Sequence, residues 1–382
     1  MFPKDIQDFI SQHLHLPIPE VTLKLSKKTA WPKDEIINQI NGKQKVAKKF
    51  PFLQPIADFK FPSPRAFSQA SSEKTARFKA KIVGKGRIAD LSGGMGIDSY
   101  FFSKVATSVD YVEANETLFQ QTIDNFVALG ANNIKTHNTT AENFIKTASK
   151  YDLIYIDPDR RNKNKRLFLL QDCEPNVVEM LPILFEKTEK VLLKLSPILD
   201  LKSVLLQLPF VESVWVVAVK NDCKELLFKL NKNTTKKVEI NCCNIEDSDT
   251  QTFTFDFEKE ENTMVTYSEP LKFLYEPNVS INKAGAFKSI AAQFQLNKIA
   301  ANTHLYTSEH FIENFPGKSL KVMDVQKTQA QKALAANVVS KNFPLKAEEV
   351  RKKYKITEAK SRFLYACRLQ NNQKVFIHAE RI

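Results

Sequence analysis

Three short segments hold side chains that could act on one ligand. AspLeuSerGlyGlyMetGly at 90–96 is rich enough in glycine to turn sharply and let the backbone approach a bound molecule. Its spacing is Gly-Gly-x-Gly, not the GxGxxG that cradles a pyrophosphate, and Asp90 stands three residues before the first glycine. A carboxylate there suits a cationic ligand better than an anionic one. Asp90, Ser92, Gly93, Gly94 and Gly96 are therefore candidate ligand-binding residues. Glu113 follows Asp90 by 23 residues, close to the roughly 20-residue interval at which an acidic side chain takes ribose hydroxyls. That supports a nucleoside without choosing between cofactors. HisAsnThrThrAlaGlu at 137–142 offers Asn138 and Thr140 to an adenine edge, with Thr140 in the slot where Asp is common.

A fourth segment points to a reaction. TyrAspLeuIleTyrIleAspProAspArgArg at 151–161 delivers Asp157 from an apolar run to the place where ligands collect in open α/β sheets. Pro158 stiffens the turn and removes a competing N–H. Asp157 there could align a nucleophile, accept its proton, or shape the pocket. Arg160 and Arg161 follow, able to grip a phosphate bidentately or stack on a base, and AsnLysAsnLysArg at 162–166 continues the positive run. Asp157 and Arg160 are the catalytic candidates. Lys194 and Ser196, in LysLeuSerProIle, should line the substrate side together with Arg160 and Arg161. Gln69, in AlaPheSerGlnAlaSerSer at 66–72, is a candidate for covering the cofactor, with a helix cap as the alternative.

The elements that must position these residues alternate. Strands are expected at 87–92, 108–113, 133–137, 151–157, 189–195, 212–219 and 225–230, with helices at 96–106, 115–129, 140–149, 174–187 and 200–207. Such alternation specifies a parallel sheet with helices on both faces. The last two strands are joined by only LysAsnAspCysLys, which permits a hairpin and forbids a helical crossover. Five parallel strands closed by a hairpin form the seven-strand methyltransferase pattern; a dehydrogenase sheet would continue with another crossover. Before this region, Ile36, Ile37, Ile40 and Val46 fit one helical face, and Pro51, Pro55, Pro62 and Pro64 mark an extended connection. After it, 252–257 alternates as a half-buried strand, and a helix is expected around 284–295. The stretch 318–382 reads strand, helix (345–354), strand (361–368), strand (374–380).

The expected class is thus α/β, a seven-stranded Rossmann-like methyltransferase domain with a helical N-terminal region and small α+β C-terminal domains. The boundaries are a helical region 1–75, a cofactor-binding domain 76–232, a β-rich ferredoxin-like region 233–310, and a basic domain 311–382. The 382 residues carry a formal net charge of +13, unevenly spread. Residues 311–382 hold 15 Lys+Arg against 6 Asp+Glu and residues 1–75 hold 12 against 7, leaving the centre near neutral. Two basic ends around a neutral centre suit a polyanion. In the last domain Arg351, Lys352 and Lys353, with Lys355, Lys360, Arg362 and Arg368, make a basic surface interleaved with Tyr354 and Phe363. Charge would give salt-dependent affinity there and exposed rings could stack on bases; the alternative is a solvated helix face with Phe363 in the core. Cys173, Cys223, Cys242, Cys243 and Cys367 form no CxxC pair, so neither a metal site nor a disulfide framework is expected, and free thiols fit the cytoplasm. The N-terminal segment carries Asp5 and Asp8 without an apolar block, so no signal peptide is expected, and no run is apolar enough to span a membrane.

Taken together, AspLeuSerGlyGlyMetGlyIleAspSer, TyrValGluAla, AspLeuIleTyrIleAspProAspArgArg and AsnAspCysLysGluLeuLeu resemble a bacterial family of class I S-adenosylmethionine-dependent methyltransferases. GluProAsnValSerIleAsnLysAlaGlyAlaPhe at 276–287 is similar to that family's ferredoxin-like insert. AsnPheProLeuLysAlaGluGluValArgLysLys at 342–353 resembles the opening of its THUMP-like domain. The resemblance implies S-adenosylmethionine as cofactor and RNA, tRNA ahead of rRNA, as partner, because THUMP domains in tRNA-modifying enzymes bind RNA. Enzymes that methylate exocyclic amines carry Asp/Asn-Pro-Pro-aromatic where this chain has Asp-Pro-Asp-Arg, so amino-group chemistry is not indicated. Two further readings stand beside this one: a small-molecule methyltransferase, and a non-catalytic RNA-binding protein with a vestigial cofactor fold.

Overall fold

A computed structural model describes residues 2–160, 170–328 and 334–382, with Arg160 described by its backbone alone. The chain divides into two compact units, Met1–Glu212 with Leu227–Thr235, and Ser213–Leu226 with Lys236–Ile382.

In the first unit, helices Lys4–Gln12, Ile18–Ser26 and Lys33–Lys49 form a small bundle. They bury Ile6, Ile10, Val21, Leu25, Ile36 and Ile40, spaced four apart on each helix, so one stripe faces inward. Helix Glu73–Val83 begins where the Ser72 hydroxyl accepts from Thr75 N–H and ends at Gly84, whose φ of 71° an L side chain resists. Five parallel strands follow: Arg87–Asp90, Ser108–Glu113, Ile134–Asn138, Leu153–Ile156 and Lys190–Leu195. Except in the edge strand Ile134–Asn138, whose residues are half-buried or exposed, their apolar residues are buried on both faces, as strands covered by helices on either side must be. In space the order is fifth, fourth, first, second, third. The chain therefore reverses direction across the sheet between the first and fourth strands. The connections leaving those two strands diverge and open a crevice at their carboxyl ends. The Leu227–Asn231 part of strand Asp222–Asn231 lies beside the fifth strand.

In the second unit, strands Val211–Val219 and Asp222–Asn231 meet through Lys220–Asn221, both at positive φ (50° and 60°), the mirror-image turn whose twist matches a two-residue hairpin. The short link read from the sequence is this hairpin. Beyond it, Glu239–Ile245 runs parallel to Val211–Val219, and Thr250–Phe255 runs antiparallel to Glu239–Ile245. A separate seven-stranded sheet follows, in the order Asn297–Ala300, Thr303–Ser308, Phe273–Pro277, Gly317–Lys327, Lys374–Arg381, Arg362–Arg368, Asn337–Lys341. Its core holds Leu274, Ile299, Leu305, Leu320, Tyr365 and Ile377. The single helix expected around 284–295 is two short ones, Val279–Ala284 and Ser289–Gln293. Gly285, at φ 78°, ends the first, a left-handed conformation that helical periodicity cannot announce. Among the described residues no helix is long and apolar enough to cross a membrane.

Candidate functional site

The crevice between the first and fourth strands of the first unit holds a cavity of about 380 Å³. Of the residues singled out by sequence, Gln69, Ser92, Gly93, Gly94, Glu113, Thr140 and Asp157 line it. The glycine loop fits under it for steric reasons. A Cβ on Gly93 would fall 2.1 Å from the Tyr111 ring, and the Tyr111 hydroxyl donates to Gly94 C=O at 2.6 Å. Glu113 ends its strand with a carboxylate that accepts from Gly94 N–H at 2.9 Å and Asn115 N–H at 2.7 Å. A carboxylate has about four lone-pair sites, so acceptor capacity is left for a diol. The Thr140 hydroxyl accepts from Asn143 N–H and so caps the next helix while it faces the cavity.

Asp90 departs from the expectation of ligand contact. It is fully buried, accepts from Ser92 N–H at 3.1 Å and from the Ser99 hydroxyl at 2.6 Å, and lies off the cavity wall. Burial pushes its carboxyl up to about 7, against the pull of Ser99 and Ser92 and with the repulsion of Asp98 and Asp157 added. Its work is to brace the loop: the Ser92 hydroxyl that it holds accepts in turn from Asp157 N–H at 2.7 Å. Gly96 and Asn138 are also off the wall. Gly96, at φ 76°, starts helix Ile97–Ser103 against Thr122 and Phe126, and Asn138 donates to Glu113 C=O at 2.9 Å, fixing the strand end.

The residue that sequence reasoning passed over is Asp98. It sits on the cavity wall, accepts from the Ser71 hydroxyl at 2.7 Å and the Tyr155 hydroxyl at 3.0 Å, and lies 3.2 Å from the Nζ of Lys79. The Lys79 side chain is 0% exposed and donates to Ser71 at 2.8 Å. An acid in the first turn of a helix is ordinarily there for the helix dipole, and Lys79 is an unremarked helical lysine, so neither announces itself. Glu142, Asp159 and Glu174 complete the acidic lining. Among the described residues the wall thus has six carboxylates and no Lys or Arg. Asp98 and Asp157 are offset by Lys79 and Lys194, and the other four carboxylates favour a cation over a pyrophosphate.

Asp157 forms a close ion pair with Lys194. Desolvation raises its carboxyl above the ordinary value, outweighing the attraction of Lys194. Lys194 reaches the site through that contact and is not itself on the wall; Ser196 is exposed beyond the strand end. The Gln69 amide donates to both Asp159 oxygens at 3.4 and 3.2 Å, linking the segment before the first strand to the one after the fourth. The backbone of Asp159–Arg160 pairs with Cys173–Glu174. The Arg160 side chain and all of Arg161 lie outside the described residues. Arg351, Lys352 and Lys353 belong to the second unit, on helix Ala347–Lys353, where Arg351 pairs with Glu358 and the two lysines are exposed. Tyr354 is not an exposed stacking platform: its ring packs edge-on against Phe376 at 4.9 Å. Among the described residues no group of three His, Cys, Asp or Glu is placed to hold a metal.

Residues 273–316 match a ferredoxin-like domain and residues 318–381 a THUMP domain-like family. Over 100% of this chain and 99% of the other, the fold matches the crystal structure of a "putative methyltransferase" from Porphyromonas gingivalis W83, at 25% identity and a TM-score of 0.88. Partial likenesses include a "putative RNA methyltransferase" from Pyrococcus horikoshii, at 14% identity over 50% of this chain and 98% of the other with a TM-score of 0.34. Another is an rRNA methylase from Streptococcus thermophilus, at 13% identity over 42% and 96% with a TM-score of 0.32. No curated protein matches the chain.

Proposed function

We propose that this chain, which has the class I methyltransferase fold with ferredoxin-like and THUMP-like domains, transfers a methyl group from S-adenosylmethionine to an RNA, tRNA ahead of rRNA. The observation that carries the reading is the acidic wall around the glycine loop and Glu113. A nicotinamide dinucleotide would bring a pyrophosphate against its carboxylates; a sulfonium with an ammonium beside it meets them favourably. S-adenosylmethionine supplies an electrophilic methyl on sulfur and leaves as a neutral thioether.

The chain's own residues do the rest. Glu113 holds the ribose hydroxyls, Asp98 the amino group, and Thr140 the adenine side, with Ser92, Gly93 and Gly94 shaping the floor and Gln69 the cover. Asp90, Gly96 and Asn138 act one step back, keeping that floor in place. Asp157 orients the nucleophile and takes the proton it sheds as the new bond to carbon forms; its desolvated carboxylate has the raised proton affinity such an acceptor needs. Lys194 holds Asp157 in position. Arg160, Arg161, Ser196 and the basic triplet Arg351, Lys352 and Lys353 are assigned to the RNA. The THUMP domain-like match and that triplet support an RNA partner.

Calorimetry with S-adenosylmethionine and with its demethylated product tests the cofactor: both should bind to the folded chain, and absence of heat with both would remove the reading. Asp157→Ala should abolish methyl transfer to cellular RNA, followed by mass spectrometry of nucleosides, while cofactor affinity changes little. Unchanged turnover takes Asp157 out of the mechanism. RNA binding without cofactor binding would instead favour the non-catalytic alternative.

A further inference from the structure

A second cavity, of about 290 Å³, lies within the second unit and is lined by Asn221, Glu276, Asn282, Phe287, His304 and Lys341. Three features set it apart from a packing fault. The first is an aromatic pair: the Phe287 and His304 rings stack at 3.6 Å between centroids and 10° between planes. Burial pushes the imidazole down to about 4, with Lys298 and Lys341 adding to it, so at neutral pH the ring is uncharged and presents a flat π surface. The second is a charge arrangement around Glu276. Its carboxylate accepts from Lys318 at 3.0 Å, Lys341 at 2.8 Å and the buried Tyr365 hydroxyl at 2.9 Å. Burial alone would raise that carboxyl, but the two ammonium groups outweigh it and hold it below its ordinary value. Two cations share one anion, so the group is positive by one charge, and its Lys341 and Glu276 both reach the cavity wall. The third is incomplete hydrogen bonding. Asn282 Oδ1 and His304 Nδ1 are shut off from bulk water and have no hydrogen-bond partner among the described residues. Leaving such atoms unpaired costs free energy.

A flat heterocycle next to an anion is the chemistry of a nucleotide. We propose that this cavity holds one nucleotide, its base against the Phe287–His304 pair and its phosphate against Lys341. The volume accommodates a single base with its sugar and not a helix. The Glu276–Lys318–Tyr365 network is then the support that fixes Lys341. The nucleotide itself stands on this cavity alone; that it belongs to an RNA strand rests on the function proposed above.

The full chain should bind adenosine or cytidine monophosphate, and should bind ribose 5-phosphate at least tenfold more weakly, because base stacking contributes most of the affinity. His304→Ala and Lys341→Met should each weaken the mononucleotide about tenfold. His304→Phe keeps a ring to stack on and should retain most of the binding, which separates loss of the platform from loss of the fold; thermal melting of each variant checks the latter. Equal binding by wild type and all three variants would place the nucleotide elsewhere and overturn the inference, as would equal affinity for ribose 5-phosphate. A short single-stranded RNA and the mononucleotide distinguish the two sources. If the chain binds RNA but His304→Ala leaves RNA and mononucleotide unaffected, the RNA reading survives and this one falls. If His304→Ala releases the mononucleotide and no RNA binds, this inference holds and the RNA substrate falls.

Discussion

Replacing Asp98 by Asn tests the electrostatics of the first cavity most directly. Lys79 is 0% exposed and Asp98 is 12% exposed, at 3.2 Å from one another. Breaking a buried ion pair by neutralising one partner typically costs about 3–5 kcal/mol, because the other charge stays in a medium that solvates it poorly. Lys79 would keep its bond to Ser71 and the attraction of Asp157, so the lower end, about 3 kcal/mol, is the appropriate figure. For a unit of this size that corresponds to a melting temperature lower by about 6–12 °C. The double variant Lys79→Met with Asp98→Asn should recover most of the loss, since an apolar replacement of similar volume removes the stranded charge. Cofactor affinity should fall in both variants, because Asp98 lines the cavity proposed for the cofactor and the rescue restores only the fold. Calorimetric melting and S-adenosylmethionine titration of the three proteins measure the two effects separately. If Asp98→Asn melts within about 2 °C of wild type, or if the double variant melts lower than the single one, the buried pair does not have the energetic role drawn for it.

Gly93→Ala should destabilise the first unit by about 1–3 kcal/mol and weaken cofactor binding, because the added Cβ meets the buried Tyr111 ring at 2.1 Å; denaturant titration and calorimetry check both. Asp90 should make stability fall as pH rises. Its carboxyl is raised from 3.8 to about 7 in the folded chain, so its favourable contribution is complete below the lower value and lost as pH passes the upper one. Asp90→Asn should flatten that slope in urea unfolding curves between those limits, and an unchanged slope would remove Asp90 as its source. Reversing Arg351, Lys352 and Lys353 to Glu should weaken RNA binding and reduce its salt dependence in filter-binding assays, with no change counting against the basic helix.

Much of the first unit was legible because its strands obey a strong rule. Runs such as LeuIleTyrIle at 153–156 are buried on both faces, and the chemistry gathers where they end, so Glu113 and Asp157 could be placed from strand position alone. Asp90 was misplaced for the opposite reason. Sequence gives its position at a strand end but not the rotamer, and the neighbouring hydroxyls of Ser92 and Ser99 turn its carboxylate inward. Asp98 and Lys79 become meaningful only together, and the pairing of a helix-start acid with a lysine on a different helix leaves no periodic trace. Strand Glu239–Ile245 falls in the region expected to be β-rich but has no bounds legible in the sequence, because Asn241 and Asn244 blur its alternation. Its partners Val211–Val219 and Thr250–Phe255 decide its conformation through backbone hydrogen bonds.

The Gln69–Asp159 contact joins residues ninety positions apart through one exposed amide. Because that bond competes with water, it opens at little energetic cost, and the Asp159 side then stays held by its backbone pairing with Cys173–Glu174.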